Sequence, residues 1–249
     1  MIGYSGFAKY YDRFTGNVDY SARARYFDTV IQKYAPGANL LLDLACGTGS
    51  LSFEMESLGY DVIGVDGSVD MLGVAVEKRA DRESSVLFLC QEMAELDLYG
   101  TIDATVCALD SLNHVLDEDE LLRIFKKVSL FSNPGAAFVF DVNTEYKHRQ
   151  VLADNCFVFE DEKTMCVWQN SPEDDGLTVD IALDFFALDD ESGLWERSSA
   201  EFSERAYPTD FLMDLAKQTG FDVKAVFDED SFMPPRDSSE RIIFVLTKK

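Results

Sequence analysis

Basic residues are scarce in this 249-residue chain: 22 Lys and Arg stand against 46 Asp and Glu, for a formal net charge of −24. Nucleic-acid backbones demand clustered cations to displace counterions, so this balance argues against DNA or RNA partners. It argues equally against an anionic membrane surface. Histidine is scarcer still, with only His114 and His148, which argues against a multi-histidine metal centre, and no metal is expected. The five cysteines (Cys46, Cys90, Cys107, Cys156 and Cys166) are odd in number and never in C-x-x-C spacing. They indicate neither a disulfide framework nor a zinc site, and they suit a reducing, cytoplasmic setting. No apolar run approaches the ~20 residues of a membrane helix. The opening Met1-Ile-Gly-Tyr-Ser-Gly-Phe7 has no basic region followed by an apolar stretch, so no secretory leader is expected. What the chain does have is apolar residues, 47% of the total, enough to bury a core without covalent staples. The expectation is one domain spanning 1–249.

Short apolar runs alternate with helical spacings over the first 145 residues. Tyr26, Phe27, Val30, Ile31 and Tyr34 predict a helix over Tyr20–Ala35, stopped by Pro36-Gly37. Buried strands are predicted at Asn39–Leu44, Tyr60–Val65, Val86–Cys90, Asp103–Leu109 and Ala136–Val142. Helices are predicted at Ser50–Leu58, at Ser68–Ala80, and from an Asp117 N-cap to Phe131. Asn133-Pro-Gly is expected to break the chain before the fifth strand. This repetition predicts an α/β fold, a parallel sheet with helices on both faces and right-handed crossovers. Beyond Tyr146 the texture changes. Thr178–Leu188 alternates, with Val179, Ile181, Leu183 and Phe185 on one side and Asp180 and Asp184 on the other, as in a half-buried antiparallel strand. Glu173-Asp-Asp-Gly and Asp189-Asp-Glu-Ser-Gly read as flanking hairpin turns. From Asp154 to Arg205 there are 15 acids and three bases, so this stretch supplies half the net charge. It is expected to be a small antiparallel β insertion, 150–205, over one edge of the α/β body. A helix over Thr209–Thr219 and strands at Asp222–Phe227 and Arg241–Leu246 complete the pattern.

In open parallel sheets ligands bind beyond the carboxyl ends of the strands. After the first strand comes Asp43-Leu-Ala-Cys-Gly-Thr-Gly49, where glycines let the backbone approach a ligand closely. After the second comes Asp66, a carboxylate able to accept both hydroxyls of a ribose. Together they imply a nucleoside cofactor, and two chemistries share that plan. A dinucleotide fingerprint, G-x-G-x-x-G, would need glycine where Ser52 stands, and would set the Asp43 carboxylate beside a pyrophosphate. S-adenosylmethionine has no pyrophosphate, and Asp43 suits it better. An ordinary glycine turn with an incidental Asp66 is the third alternative.

Leu41-Leu-Asp-Leu-Ala-Cys-Gly-Thr-Gly-Ser50 resembles the first motif of class I S-adenosylmethionine-dependent methyltransferases, with Ala45 where their first glycine stands. Val65-Asp-Gly-Ser-Val-Asp-Met-Leu72 resembles the second. Gln91-Glu-Met93 falls where they carry an acid, more often Asp, and an apolar residue facing adenine, and Cys107–His114 matches the segment after their fourth strand. The resemblance implies a Rossmann-like, mostly parallel seven-stranded sheet with helices on both faces. It also implies cofactor contacts from Asp43, Ala45, Gly47, Gly49, Asp66, Gly67, Met71, Glu92, Met93 and Leu109. Gly6-Phe-Ala-Lys-Tyr-Tyr-Asp-Arg-Phe14, followed by Asp19-Tyr20, resembles the opening of small-molecule N-methyltransferases acting on amino sugars or glycine. In that group the N-terminal segment folds over the cofactor and a β insertion forms part of the acceptor site, which implicates Tyr11 and Tyr20. The resemblance implies methyl transfer to nitrogen or oxygen of a small-molecule acceptor, amines included, with Tyr11 and His114 flanking the methyl group. No oligomeric state is implied. A binding protein that has lost catalysis and a dinucleotide-dependent oxidoreductase are the rivals.

Several residues carry a plainer reading beside the functional one. His114 can accept a proton from the acceptor or merely orient it, and Asp110 can orient an amine or cap a turn. Tyr4 and Tyr10 are expected to pack the N-terminal helix on the body, His148 to be structural or solvated, and Cys46 to be a small packing residue. Trp168 and Trp195 line the acceptor pocket or pack the β layer.

Overall fold

The computed structural model describes residues 8–189, 192–229 and 231–249. Tyr4, Gly6 and Phe7, and Asp190-Glu191 of the second hairpin turn, lie outside them. Five parallel strands, β1 (Leu40–Leu44), β2 (Asp61–Asp66), β3 (Leu87–Cys90), β4 (Ile102–Cys107) and β5 (Ser132–Asn143), form the body of the main sheet. Beside β5 lies the antiparallel β11 (Arg241–Lys248), and β10 (Phe221–Asp228) closes that edge. The order is β10-β11-β5-β4-β1-β2-β3. Chain direction of winding reverses between β1 and β4, which opens a crevice at their carboxyl ends.

Strand alternation sorts the core into two layers. Leu41, Val139, Ile243 and Val245 face α2 (Tyr20–Tyr34) and α3 (Ser50–Ser57) through Phe27, Val30, Ile31 and Leu51. Leu42, Phe138, Phe140 and Phe244 face α5 (Glu118–Phe131) and α6 (Thr209–Gln218) through Ile124, Phe125, Leu212 and Leu215. The helices begin where side chains supply the missing acceptors. Asp19 takes the Ala22 amide at 2.8 Å and Asp117 the Glu120 amide at 2.8 Å, while Ser68 takes the Met71 amide at the head of α4 (Val69–Asp81). The Asn133-Pro-Gly break lies within β5 instead of before it. Ser132 pairs with Ile102 and Ala137 with Ala104, so the residues between bulge outward. A bulge tolerates a proline without an amide hydrogen and Gly135 at φ 84°.

Between β5 and α6 the chain builds a second sheet, an antiparallel meander of β6 (Cys156–Glu160), β7 (Thr164–Pro172), β8 (Thr178–Leu188) and β9 (Trp195–Arg205). Val179, Ile181, Leu183 and Phe185 are buried on its inner face, as alternation requires. That face packs on Ala8 of α1 (Ala8–Phe14), Met71 of α4 and Leu152. The insertion therefore covers the crevice edge and the N-terminal helix together. No helix among the described residues is long and apolar enough to cross a membrane.

Candidate active site

The turn after β1 takes left-handed backbone at Ala45 (φ 61°), Gly47 (φ 55°) and Gly49 (φ 75°). At Ala45 this costs ~1–2 kcal/mol. Gly49 ends the turn beneath Phe88, where a Cβ would fall 2.7 Å from the ring. It shapes the loop that carries Gly47 by letting the Phe88 ring pack directly against its backbone. Asp66 ends β2 and ties two loops together: its Oδ2 accepts the Gly47 amide at 2.8 Å and its Oδ1 the Ser68 amide at 2.8 Å. Burial raises its pKa. A carboxylate oxygen accepts more than one hydrogen bond, so both remain able to receive hydroxyls from the cleft that Asp66 lines with Ala45, Gly47, Gly67, Met71, Glu92, Met93 and Leu109. Gly67 lets the Glu92 carboxylate approach, since a Cβ would meet it at 2.7 Å.

Asp43, at the tip of β1, is buried and accepts Ser52 Oγ at 2.5 Å. Burial, with Asp66 nearby, pushes its carboxyl up to about 7. Asp43 and Tyr20 line a smaller hollow beside the cleft. Cys46 is packed in the same turn, and burial raises its thiol well above the ordinary range. The donor set fits S-adenosylmethionine: Asp66 and Glu92 for ribose and adenine, apolar Met71 and Met93 for the adenine faces, and Asp43 for the methionine ammonium.

Helix α1 lies over this region. Burial raises the Asp12 pKa, but bonds from Lys78, Thr48 and Ser50 outweigh it and hold the carboxyl below its usual value. Lys78 Nζ donates at 2.9 Å and Thr48 Oγ1 at 2.6 Å. One residue earlier, Tyr11 lines the cleft, the small hollow and a third, larger one. Tyr10 OH donates to Glu196 on β9 at 3.4 Å, a packing role.

The third hollow encloses about 1060 Å³ including its mouth, within reach of a small ligand. Tyr11, Leu109 and His114 line both it and the cofactor cleft. Its wall is aromatic and apolar, from Trp168, Leu183, Phe185 and Phe202 of the insertion, and its floor is polar. Trp195 is exposed and lies outside it. The loop that carries Leu109 (φ 56°) and Asp110 (φ 55°) holds two consecutive left-handed residues, a cost borne because Asp141 accepts both amides, at 2.9 and 2.7 Å. Asp141 is fully buried and also receives Arg23, at 2.9 Å, and Arg241. Buried Asn113 then bonds the Asn143 and Arg205 carbonyls, placing His114 at the rim with its ring 5.0 Å from Phe202. Burial lowers the His114 pKa, although Asp110 opposes it. His148 is structural, its Nδ1 lying 2.8 Å from the Leu177 carbonyl oxygen. Sequence reasoning missed Asn143, Lys147, Glu204 and Arg241 on the floor. Asn143 ends β5 and was within reach of the strand-tip rule; Glu204 sits on the far strand of the insertion with no local signal.

The family model described as a methyltransferase domain matches residues 41–135. YqeM of Bacillus subtilis (strain 168), named as a methyltransferase, is 30% identical over 246 residues, covering 98% of this chain and 97% of its own. The crystal structure of an S-adenosylmethionine-dependent methyltransferase from Clostridium acetobutylicum ATCC 824 superposes with a TM-score of 0.89 at 30% identity, covering 98% of both chains. Over 124 residues, 49% of this chain and 47% of the other, it is 31% identical to the dTDP-3-amino-3,6-dideoxy-alpha-D-glucopyranose N,N-dimethyltransferase of Streptomyces fradiae. With the strand-tip loops, the buried Asp66 and these similarities in place, the chain belongs to the S-adenosylmethionine-dependent methyltransferases.

Proposed function

We propose that the enzyme methylates nitrogen on a small-molecule amine. The observation that carries this reading is the junction of the two hollows at Tyr11, Leu109 and His114. A cofactor held by Asp43, Asp66, Glu92, Met71 and Met93 lies on one side of it, and an acceptor under the insertion on the other. S-adenosylmethionine supplies an electrophilic methyl group on a cationic sulfur. The chain's own contribution is alignment: catalysis by holding two reactants close is worth several kcal/mol. Tyr11 and α1 cover the junction against water, His114 orients the acceptor, and the aromatic wall attracts a cationic amine. The named relative from Streptomyces fradiae, an amino-sugar N,N-dimethyltransferase, supports nitrogen over oxygen. The acidic surface favours cationic small molecules over polyanions. Free thiols at Cys90 and Cys156 on the surface suit the cytoplasm.

The test is release of S-adenosylhomocysteine from S-adenosylmethionine across paired panels of amines and isosteric alcohols. Turnover with amines is expected. Turnover confined to alcohols would move the reaction to oxygen, and tight cofactor binding with no turnover on either panel would make the chain a binding protein.

A further inference from the structure

One amide bridges two carboxyls on the floor of the acceptor hollow. Asn143 Nδ2 donates to Asp110 Oδ2 at 2.5 Å and to Glu204 Oε2 at 3.1 Å. Asp110 has cations beside it, with Arg241 Nη1 at 3.0 Å and Lys147 adding its field. Burial works against its charge, but these cations hold its carboxyl far below the usual range. Glu204 is buried, and among the described residues it has no cation within ion-pair distance except two histidines: His114 Nε2 lies 3.8 Å from Oε1, and His148 Nε2 lies 3.9 Å from Oε2. Burial and then the Asp110 charge push its carboxyl up to about 8, with Asn143, Lys147 and Arg241 opposing. Carboxyls so close and so unequally supplied with cations do not both ionise; the proton resides on Glu204.

His148 supplies an independent observation. A carbonyl oxygen only accepts, so the 2.8 Å contact with Leu177 fixes the hydrogen on Nδ1 and leaves Nε2 as a bare lone pair. That buried Nε2 has no hydrogen-bond partner among the described residues, and Glu204, 3.9 Å from it, lines the hollow. Burial lowers the His148 pKa to about 4, so the ring stays neutral and waits for a donor. The proton on Glu204 provides one.

Resting on the amine reading above, we propose that Glu204, and not His114, receives the proton that the acceptor must shed. The acceptor enters as an ammonium, and its charge drives the resting Glu204 proton out to solvent, leaving the carboxylate opposite it. Its N–H bond breaks, the electron pair stays on nitrogen, and the proton passes to a Glu204 oxygen that turns it toward His148 Nε2. The neutral nitrogen then bonds to the methyl carbon while the methyl–sulfur bond breaks with its pair left on sulfur. Glu204 keeps that proton as its resting one, so each turnover liberates a single proton, the one expelled when the ammonium binds. Magnitudes favour Glu204. An alkyl ammonium titrates near ~10, so in the ligand-free site a carboxyl at about 8 lies only roughly 10² from it, and the ammonium charge lowers carboxyl and imidazole alike. Transfer to an imidazole held below ~6.5 is uphill by more than 10³.

The test uses the intact enzyme with S-adenosylhomocysteine bound, and phenethylamine and phenethyl alcohol as probes. Infrared difference spectra of wild type against Glu204→Gln should show a carboxylic-acid band at pH 7 that disappears through about pH 8. Phenethylamine should discharge that band at pH 7 and release close to one proton, measured by calorimetry in two buffers of different ionisation enthalpy. The alcohol should do neither, and Glu204→Gln should show no release with the amine. A missing band, a band that the amine leaves unmoved, or equal proton release in Glu204→Gln overturns the proposal. If amines nevertheless turn over in the acceptor panel, nitrogen transfer stands and only the role of Glu204 falls; if alcohols alone turn over, the amine reading itself has failed.

Discussion

Asp66 spends one hydrogen bond from each oxygen on the backbone of two different loops, Gly47 and Ser68. The same carboxylate therefore shapes the cleft and lines it, where it is proposed to hold the ribose. A charge-assisted hydrogen bond is worth ~1.5–3 kcal/mol, so Asp66→Ala is expected to weaken S-adenosylmethionine binding at least tenfold by calorimetry. Asp66→Asn separates the two roles. It keeps one accepting oxygen for the backbone but places an amide where the other stood, so the fold should persist, by circular dichroism, while affinity falls nearly as far. Unchanged affinity in both variants would mean that the ribose is held elsewhere.

At the scale of elements, α1 is joined to the glycine turn and to α4 by one polar knot. Lys78 Nζ donates to Asp12 at 2.9 Å and to Ser50 at 2.8 Å, and Thr48 and Ser50 also donate to Asp12. Through it the helix that carries Tyr11 is fastened to the loop that carries Gly47. Lys78→Met should loosen that cover and reduce S-adenosylhomocysteine affinity by about 2–10-fold, the equivalent of ~0.5–1.5 kcal/mol. Wild-type affinity should fall with added salt more steeply than the variant's, because the ion pair is partly exposed. The knot also marks the limit of what sequence reveals. Strand tips such as Asp43 and Asp66 are legible because each follows directly on its own apolar run, and β8 was legible from Thr178 to Leu188 because one of its faces is buried and period two is unambiguous. The bulge at Asn133-Pro-Gly was not, because the same residues serve a break or a bulge. Most of the floor of the larger hollow was not legible either: beside Asp110, which the segment after β4 flags, Asn143 with Lys147, Glu204 and Arg241 come from three further segments, and only the fold brings them together.

For the whole molecule, the same buried groups set how stability varies with pH. Asp43 is raised to about 7 and Glu204 to about 8, both chiefly by burial. In the unfolded chain such carboxyls lose their protons near ~4. The stability they contribute is therefore full below that pH and is lost as pH rises through 7 and 8. The histidines act in the opposite sense. Burial lowers His148 to about 4 and lowers His114 as well, so the unfolded state binds their protons first and stability recovers as pH climbs to ~6.5. Up to about one unit above that point, where the unfolded histidines finish losing their protons, the two effects oppose one another with the carboxyls prevailing from pH ~6.5; beyond it the carboxyls act alone. The stability of the ligand-free enzyme should therefore fall between pH 6.5 and 8.5, by up to roughly 1–2 kcal/mol per pH unit, and its melting temperature with it. With a net charge of −24, self-repulsion adds to this unless ionic strength is fixed near 0.15 M, where the Debye length is ~8 Å. Asp43→Asn combined with Glu204→Gln should flatten the decline in calorimetric scans at constant salt, and S-adenosylhomocysteine should flatten the Asp43 part alone, since its ammonium favours the ionised carboxylate. A wild-type melting temperature level across that range would place the protons on other groups.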